Sequence, residues 1–279
     1  MIAYKGENGL EFVRSGRSYT DRPPILLRCG RCRACRLTYS REWAIRCIHE
    51  ASLHRDNAFL TLTYRDADLP DGNSLCTRDV QLFVKRMRKR MGSFRFFHCG
   101  EYGEENSRPH YHMLVFGKDF EDKKPHSKRR GHVLYNSGVL DDLWGRGFAS
   151  IGSVTLESAS YTARYIMKKV GGEGAEAHYS GRKPEYVTMS RLPGIGFNWI
   201  KRFLGDVYPD DFVVWKGRKI RPPKYYDDYL KTVDFDMWLS VMRSRRAAAE
   251  RNKLEGLSER RAVKRYILEE RAKLLKRDL

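Results

Sequence analysis

The sequence predicts an α+β fold, with a largely antiparallel central sheet flanked by helices and a helical, basic C-terminal extension. "AFLTLTY" (58–64) alternates apolar residues with threonine, and 94–103 and 110–117 read as two further strands joined by a short polar loop. Helical spacing of apolar residues marks 37–54, 78–92 and 158–170. The resulting order, α-β-α-β-β-α-β-α, is that of an antiparallel sheet with helices rather than of repeated parallel units.

The first thirty residues are irregular and contain Gly, Arg and Pro. In the helix 37–54, Trp43, Ile45, Ile48 and Leu53 supply much of the apolar surface. After a turn at Pro70-Asp71-Gly72, Thr77 caps the helix 78–92, whose Leu82, Phe83, Met87 and Met91 face the core, and Gly92 stops it. The strands 94–103 and 110–117 pair as an antiparallel hairpin. A charged insertion, 118–131, precedes a short helix near 137–145 and a strand near 148–156. The helix 158–170 ends at Gly171-Gly172. From Pro184 the chain becomes more aromatic and basic, and 240–279 reads as charged helices, with thirteen Lys/Arg against six Asp/Glu. That arm either grips nucleic acid or presents a solvated face. These shifts divide the chain into a Cys-containing N-terminal segment (1–36), a core (37–183) and an extension (184–279).

The 279 residues carry 54 Lys+Arg against 35 Asp+Glu, a formal +19, with 41% hydrophobic content. Such an excess favours polyanions, nucleic acid before an anionic membrane surface. No apolar run reaches the roughly 18 residues of a membrane span, and the N-terminus lacks the apolar stretch of a signal peptide. An intracellular protein with six reduced cysteines is expected.

Residues two apart on a strand share a face. His110 and His112 therefore project together with Tyr111 behind, and the neighbouring strand brings Glu101 beside them. Two imidazoles and a carboxylate suit a divalent cation, Mg²⁺ or Mn²⁺, with imidazole favouring Mn²⁺. Cross-strand histidines can equally serve as hydrogen-bonding surface residues. Along "YTARYIMKK" (161–169), Tyr161 and Tyr165 lie one helical turn apart, each followed three residues later by a cation, Arg164 and Lys168. A phenol with a pKa near 10 needs such a positive field to act as a nucleophile toward phosphorus. Two amphipathic core tyrosines are the plain alternative.

Together these patterns resemble the HUH endonuclease superfamily of rolling-circle replication initiators. "FLTLTY" (59–64) looks like its first motif, "PHYH" (109–112) like its histidine motif, and "YTARYIMKK" like its tyrosine motif. "GEYGE" (100–104) resembles the strand that carries a glutamate ligand, here Glu101. The segments 28–50, 190–200 and 221–230 are similar to replication initiators of the gokushovirus branch of the microviruses, small single-stranded DNA phages. Tyr111 departs from the aliphatic residue more usual between the histidines. The resemblance implies an HUH/RRM-like nuclease fold and metal-dependent nicking of single-stranded origin DNA. It further implies a 5′-phosphotyrosine intermediate, two alternating tyrosines, host helicase and polymerase as partners, and the host cell cytoplasm. A relaxase or single-stranded transposase of the same superfamily would weight a third histidine over Glu101. A non-catalytic DNA-packaging protein would need none of these spacings.

"CGRCRAC" spaces Cys29, Cys32 and Cys35 as C-x2-C-x2-C. This suits a structural Zn²⁺ knot completed by Cys47 or His49, with Cys76 and Cys99 as further candidates, or three cysteines packed as small hydrophobes. For DNA contact the sequence offers Arg86, Lys89 and Arg90, then Lys123, Lys124, Lys128, Arg129 and Arg130. Trp199, Phe203, Tyr225 and Tyr226 either stack on unpaired bases or belong to the core.

Overall fold

The computed structural model describes residues 2–6, 9–12, 25–26, 29–30, 32–103, 106–129, 131–165, 170 and 173–273. The first strands, β1 (Ile2–Gly6), β2 (Gly9–Phe12) and β3 (Ile25–Leu26), form a small antiparallel sheet in the order β2-β1-β3. The sequence reading left this region irregular, because strands of two to five residues are too short to display a period.

The elements that frame the site follow: α1 (Arg33–Ala51), β4 (Asn57–Thr63), α2 (Thr77–Met91), β5 (Arg95–Tyr102) and β6 (Pro109–Phe116). Next come β7 (Lys124–Arg129), β8 (His132–Asn136), α3 (Gly138–Trp144), β9 (Ala149–Gly152), α4 (Leu156–Arg164) and α5 (Ala175–Tyr179). The remainder comprises β10 (Tyr186–Met189), α6 (Phe197–Arg202), α7 (Leu204–Val207), β11 (Val213–Trp215), β12 (Arg218–Ile220), α8 (Lys224–Val233), α9 (Phe235–Arg251) and α10 (Ser258–Lys273). Seven strands build the central sheet in the order β10-β5-β6-β4-β9-β8-β7, and every adjacent pair is antiparallel. The α+β class and the antiparallel hairpin are as expected. The charged insertion hides β7, which pairs with β8 just beyond it as an edge hairpin whose exposed positions give no apolar alternation.

Strand alternation sorts the sheet into two apolar faces. Leu60, Leu62, Tyr111, Met113 and Val115 pack against Phe83 and Met87 of α2 and Leu140 and Trp144 of α3. On the other face Phe59, Phe97, Cys99, Leu114 and Phe116 pack against Trp43, Ala44 and Cys47 of α1 and Ala159 and Tyr161 of α4. A third cluster joins Ile45 of α1 to Ile200, Tyr208, Tyr226, Leu230 and Val241. In α2, Phe83 and Met87 are buried with Val80 and Val84, whereas Leu82 and Met91 are half-buried. Thr77 begins that helix instead of capping it. Cys76 holds the cap position without a side-chain bond; its N–H donates to the Tyr111 hydroxyl (2.8 Å), which in turn donates to its carbonyl (3.0 Å). Gly92, at φ +82°, ends the helix as expected.

Candidate active site

The β5–β6 register pairs Glu101 with His110 and Cys99 with His112, and β4 places Thr63 and Thr61 on the other side of the two histidines. One carboxylate oxygen then collects both rings. Glu101 Oε1 lies 2.7 Å from His110 Nε2 and 3.0 Å from His112 Nε2. The ligand atoms of the three residues all lie within 4.8 Å of one another. His112 Nδ1 meets Thr61 Oγ1 at 3.1 Å, and His110 Nδ1–H donates to the Arg108 carbonyl at 3.2 Å. These partners orient the rings so that both Nε2 atoms converge on the carboxylate.

That convergence tests whether a cation fits. The Arg108 carbonyl can only accept, so His110 Nδ1 carries a proton. A neutral His110 would turn its Nε2 lone pair onto Glu101 Oε1 at 2.7 Å, which is repulsive. The contact is favourable only with a positive species there, a second proton or a metal ion. Burial pushes the Glu101 carboxyl up, but the hydrogen bonds and charges of the two imidazoles outweigh it and hold it at about 2. Two nitrogen donors and one oxygen donor suit Mn²⁺ or Mg²⁺.

The tyrosine helix lies directly over this group. Thr155 and Ser158 form a reciprocal capping box that starts α4, and Tyr161 and Tyr165 follow at the end of the helix. The Tyr161 hydroxyl donates to Glu101 Oε1 at 3.5 Å, and its ring meets His112 edge-on at 5.0 Å. The Tyr165 ring stacks on His112 at 5.6 Å and 12°. Arg164 Cζ lies 5.9 Å from the Tyr161 ring centre. Lys168 lies outside the described residues; α4 is described as far as Arg164, and Val170, the expected end of the helix, is not helical. Burial, followed by the charge on Glu101, pushes the Tyr165 phenol well above its ordinary value. In the ligand-free arrangement, then, the carboxylate opposes the positive field expected from the helix cations.

Several residues at this end of the sheet escaped the sequence reading. Thr61 did, because which strand flanks β6 is a matter of topology. Phe148 follows the Leu62–Ala149 pair by one step, its carbonyl accepting from the Thr63 N–H and hydroxyl, both at 2.9 Å. It continues the row of Glu101, His110 and Thr63 and is 74% exposed. Arg65, Arg108 and Arg146 at this end of the sheet are each paired with a carboxylate, Asp68, Asp66 and Asp79 respectively. The "GRGF" run (145–148) was the available signal.

Other candidates fall elsewhere. Arg86 donates to the carbonyls of Leu143 and Trp144, ending α3 on the face opposite Glu101. Lys89 and Arg90 share its helix, and Lys123 pairs with Asp119. Lys124 and Lys128 are exposed on the edge hairpin; the side chain of Arg129 and all of Arg130 lie outside the description. Trp199 stacks on His49 and Tyr226, Phe203 packs on Trp199, and Tyr225 covers Arg46, so these aromatics belong to the core. Cys29, Cys32 and Cys35 come together, but Cys47 does not join them. It lies twelve residues beyond Cys35 on α1, about 18 Å along the axis, fully buried in the core beside Trp43 and Cys99. His49 is taken by the Tyr226 hydroxyl at 2.9 Å.

No helix among the described residues is long and apolar enough to cross a membrane. The family model for the ORF2-type replication-associated proteins matches residues 57–170, the span from β4 through the tyrosine helix. The replication-associated protein VP4 of Bdellovibrio phage phiMH2K is 35% identical over 225 residues, covering 76% of this chain and 69% of that protein. The replication-associated protein ORF2 of Spiroplasma virus 4 is 34% identical, covering 71% and 66%. The replication-associated protein ORF4 of Chlamydia phage 1 is 32% identical, covering 74% and 53%, so the chain spans about half of that relative. No solved structure matches. With a hydrogen-bonded Glu-His-His group and a paired-tyrosine helix inside the matched span, the chain belongs to the ORF2-type family of replication-associated proteins, on the branch carried by gokushovirus-like microviruses.

Proposed function

We propose that this chain initiates rolling-circle replication by nicking single-stranded origin DNA and later rejoining it. The observation that carries the reading is the convergence of both imidazoles and the Tyr161 hydroxyl on one oxygen of Glu101, with Tyr165 stacked on His112. A divalent cation held by Glu101, His110 and His112 would supply Lewis-acid polarisation of the scissile phosphate and offset charge developing on it. A glutamate as the third member supports an initiator over a relaxase, which would carry a histidine there.

The chain's own residues account for the rest. The Oη of one tyrosine attacks phosphorus as the 3′ oxygen leaves. The phenol proton departs, the 3′ oxygen takes one up, and a 5′-phosphotyrosine and a 3′-OH result. One P–O ester replaces another, so the later reversal that joins the strand needs no ATP. Tyr161 and Tyr165, one turn apart, let cleavage and rejoining alternate without release of the DNA. Arg164 adds positive charge at Tyr161, and Lys168 is assigned the same role at Tyr165. Phe148 offers an unpaired base an aromatic face.

The test incubates the full chain with Mn²⁺ and single-stranded origin DNA labelled at its 3′ end. A labelled protein adduct that survives denaturation is expected, lost with His112→Ala and with the Tyr161→Phe/Tyr165→Phe double change. Each single tyrosine change should impair part of the cycle. A covalent adduct formed by the double variant would overturn the assignment. DNA binding indifferent to chelator, with no adduct from the wild type, would point to a packaging protein.

A further inference from the structure

None of the six cysteines belongs to the site described above, and three of them form a cluster of their own. Cys29, Cys32 and Cys35 have all their Sγ atoms within 4.8 Å of one another, and Cys29 and Cys35 are 3.9 Å apart. Two thiolates on a tetrahedral zinc with Zn–S bonds of about 2.3 Å stand about 3.8 Å apart, whereas a disulfide brings its sulfurs to about 2.05 Å. The observed spacing is that of two ligands to one ion. The Cys32 amide donates to Cys29 Sγ at 3.2 Å, a bond that stabilises a thiolate. Gly30, at φ +71°, makes the turn that folds Cys29 back toward Cys32.

The other thiols lie elsewhere, and Cys76 is half-buried at the cap of α2. Cys47 and Cys99 are fully buried and pack as small hydrophobes. Cys32 is exposed and Cys29 and Cys35 are half-buried, so packing does not explain a cluster of three. The cluster also sits on the first turn of α1, which has no acidic residue there and no side-chain cap at Cys32. Three thiolates around a divalent ion carry a net −1, the charge that a helix N-terminus favours.

We propose that Cys29, Cys32 and Cys35 hold a structural zinc ion that fastens the chain before α1 to the start of that helix. The fourth position falls to water or an added small donor, since Cys47 and His49 are committed elsewhere. Because α1 packs beside α4 on the same face of the sheet, the ion steadies the support of the tyrosine helix without touching DNA.

Elemental analysis of the full chain, purified without chelator, is expected to give one zinc per chain. Beyond the buried Cys47 and Cys99, three thiols should become reactive toward a thiol reagent only when zinc is stripped. Cys32→Ser and Cys35→Ser should each abolish stoichiometric zinc, while His112→Ala retains it. Cobalt added to the stripped wild type should produce thiolate-to-cobalt charge-transfer absorption, a readout that stands if a serine variant fails to fold. Absence of that absorption, zinc undiminished in folded Cys→Ser variants, or zinc lost only with His112→Ala would each overturn the proposal. None of these outcomes bears on nicking, so the two readings fail separately.

Discussion

Replacing Glu101 with glutamine distinguishes a metal ligand from an ordinary buried acid. The change keeps shape and volume but removes the charge that meets both imidazoles at 2.7 and 3.0 Å. In the metal-free chain two charge-assisted hydrogen bonds are weakened, each worth about 1.5–3 kcal/mol. Against this, the cost of burying a carboxylate that is only 1% exposed disappears, an effect of several kcal/mol. The two oppose each other, so metal-free Glu101→Gln is expected to unfold in urea within about 2 kcal/mol of wild type. The variants part company when metal is added. A cation that binds only the folded chain adds about 2.7 kcal/mol at a hundredfold excess over its Kd. For a chain of this length that is a rise of about 5 °C in Tm. Wild type should show that rise in saturating Mn²⁺ and the variant should not. Thermal melts followed by circular dichroism, with chelator and with Mn²⁺, measure both quantities on one sample. A variant that keeps the full Mn²⁺ shift refutes Glu101 as a ligand, whatever becomes of nicking.

Gly147→Ala should cost about 2–3 kcal/mol in urea unfolding, because at φ +154° its Cβ would stand 2.4 Å from the Thr63 carbonyl and the Arg65 nitrogen, backbone that cannot yield. Phe148→Ala should leave stability within about 0.5 kcal/mol yet weaken single-stranded DNA binding by about 1–3 kcal/mol, read by fluorescence anisotropy; unchanged affinity removes Phe148 from the DNA path. Tyr111→Phe should cost about 1–3 kcal/mol, since its hydroxyl serves both the N–H and the carbonyl of Cys76. Burial holds His49 and His98 down at about 3, against about 6.5 unfolded. Unfolding therefore takes up two more protons between those values, and stability falls as pH drops through that window, by up to about 2.7 kcal/mol per unit. A flat profile of urea midpoints between about pH 6 and 4 would show these rings to be accessible.

The Glu101–His110–His112 group was legible because two short-range facts suffice for it. Strand period puts the histidines on one face, and a six-residue connection between Tyr102 and Pro109 sets Glu101 opposite His110. The paired tyrosines were legible for the same reason, being one helical turn apart. What failed were readings that depend on distant partners. Thr77 became the first residue of α2 with Cys76 ahead of it at the cap, and Arg86, though exposed, is tied to the last carbonyls of α3. Cys47 looked like a fourth thiol, yet the helix that carries Cys35 also carries Cys47 away from it. Phe148 could not be recognised as exposed from its type, since most phenylalanines are buried.

Glu101 meets two opposed demands, and the opposition has a use. Its charge gathers the two Nε2 atoms, but the same charge beside the buried Tyr165 disfavours the phenolate. A divalent cation adds positive charge to the group, so loading moves its influence on both phenols toward the phenolate. On the reading proposed here, the nucleophile is suppressed until the cation that polarises the phosphate is in place. A free chain then carries no reactive phenolate, and attack is confined to a phosphate that has reached the cation. Arg164 sets a standing positive charge beside both phenols, and Tyr165, stacked on His112, also answers to loading of the centre.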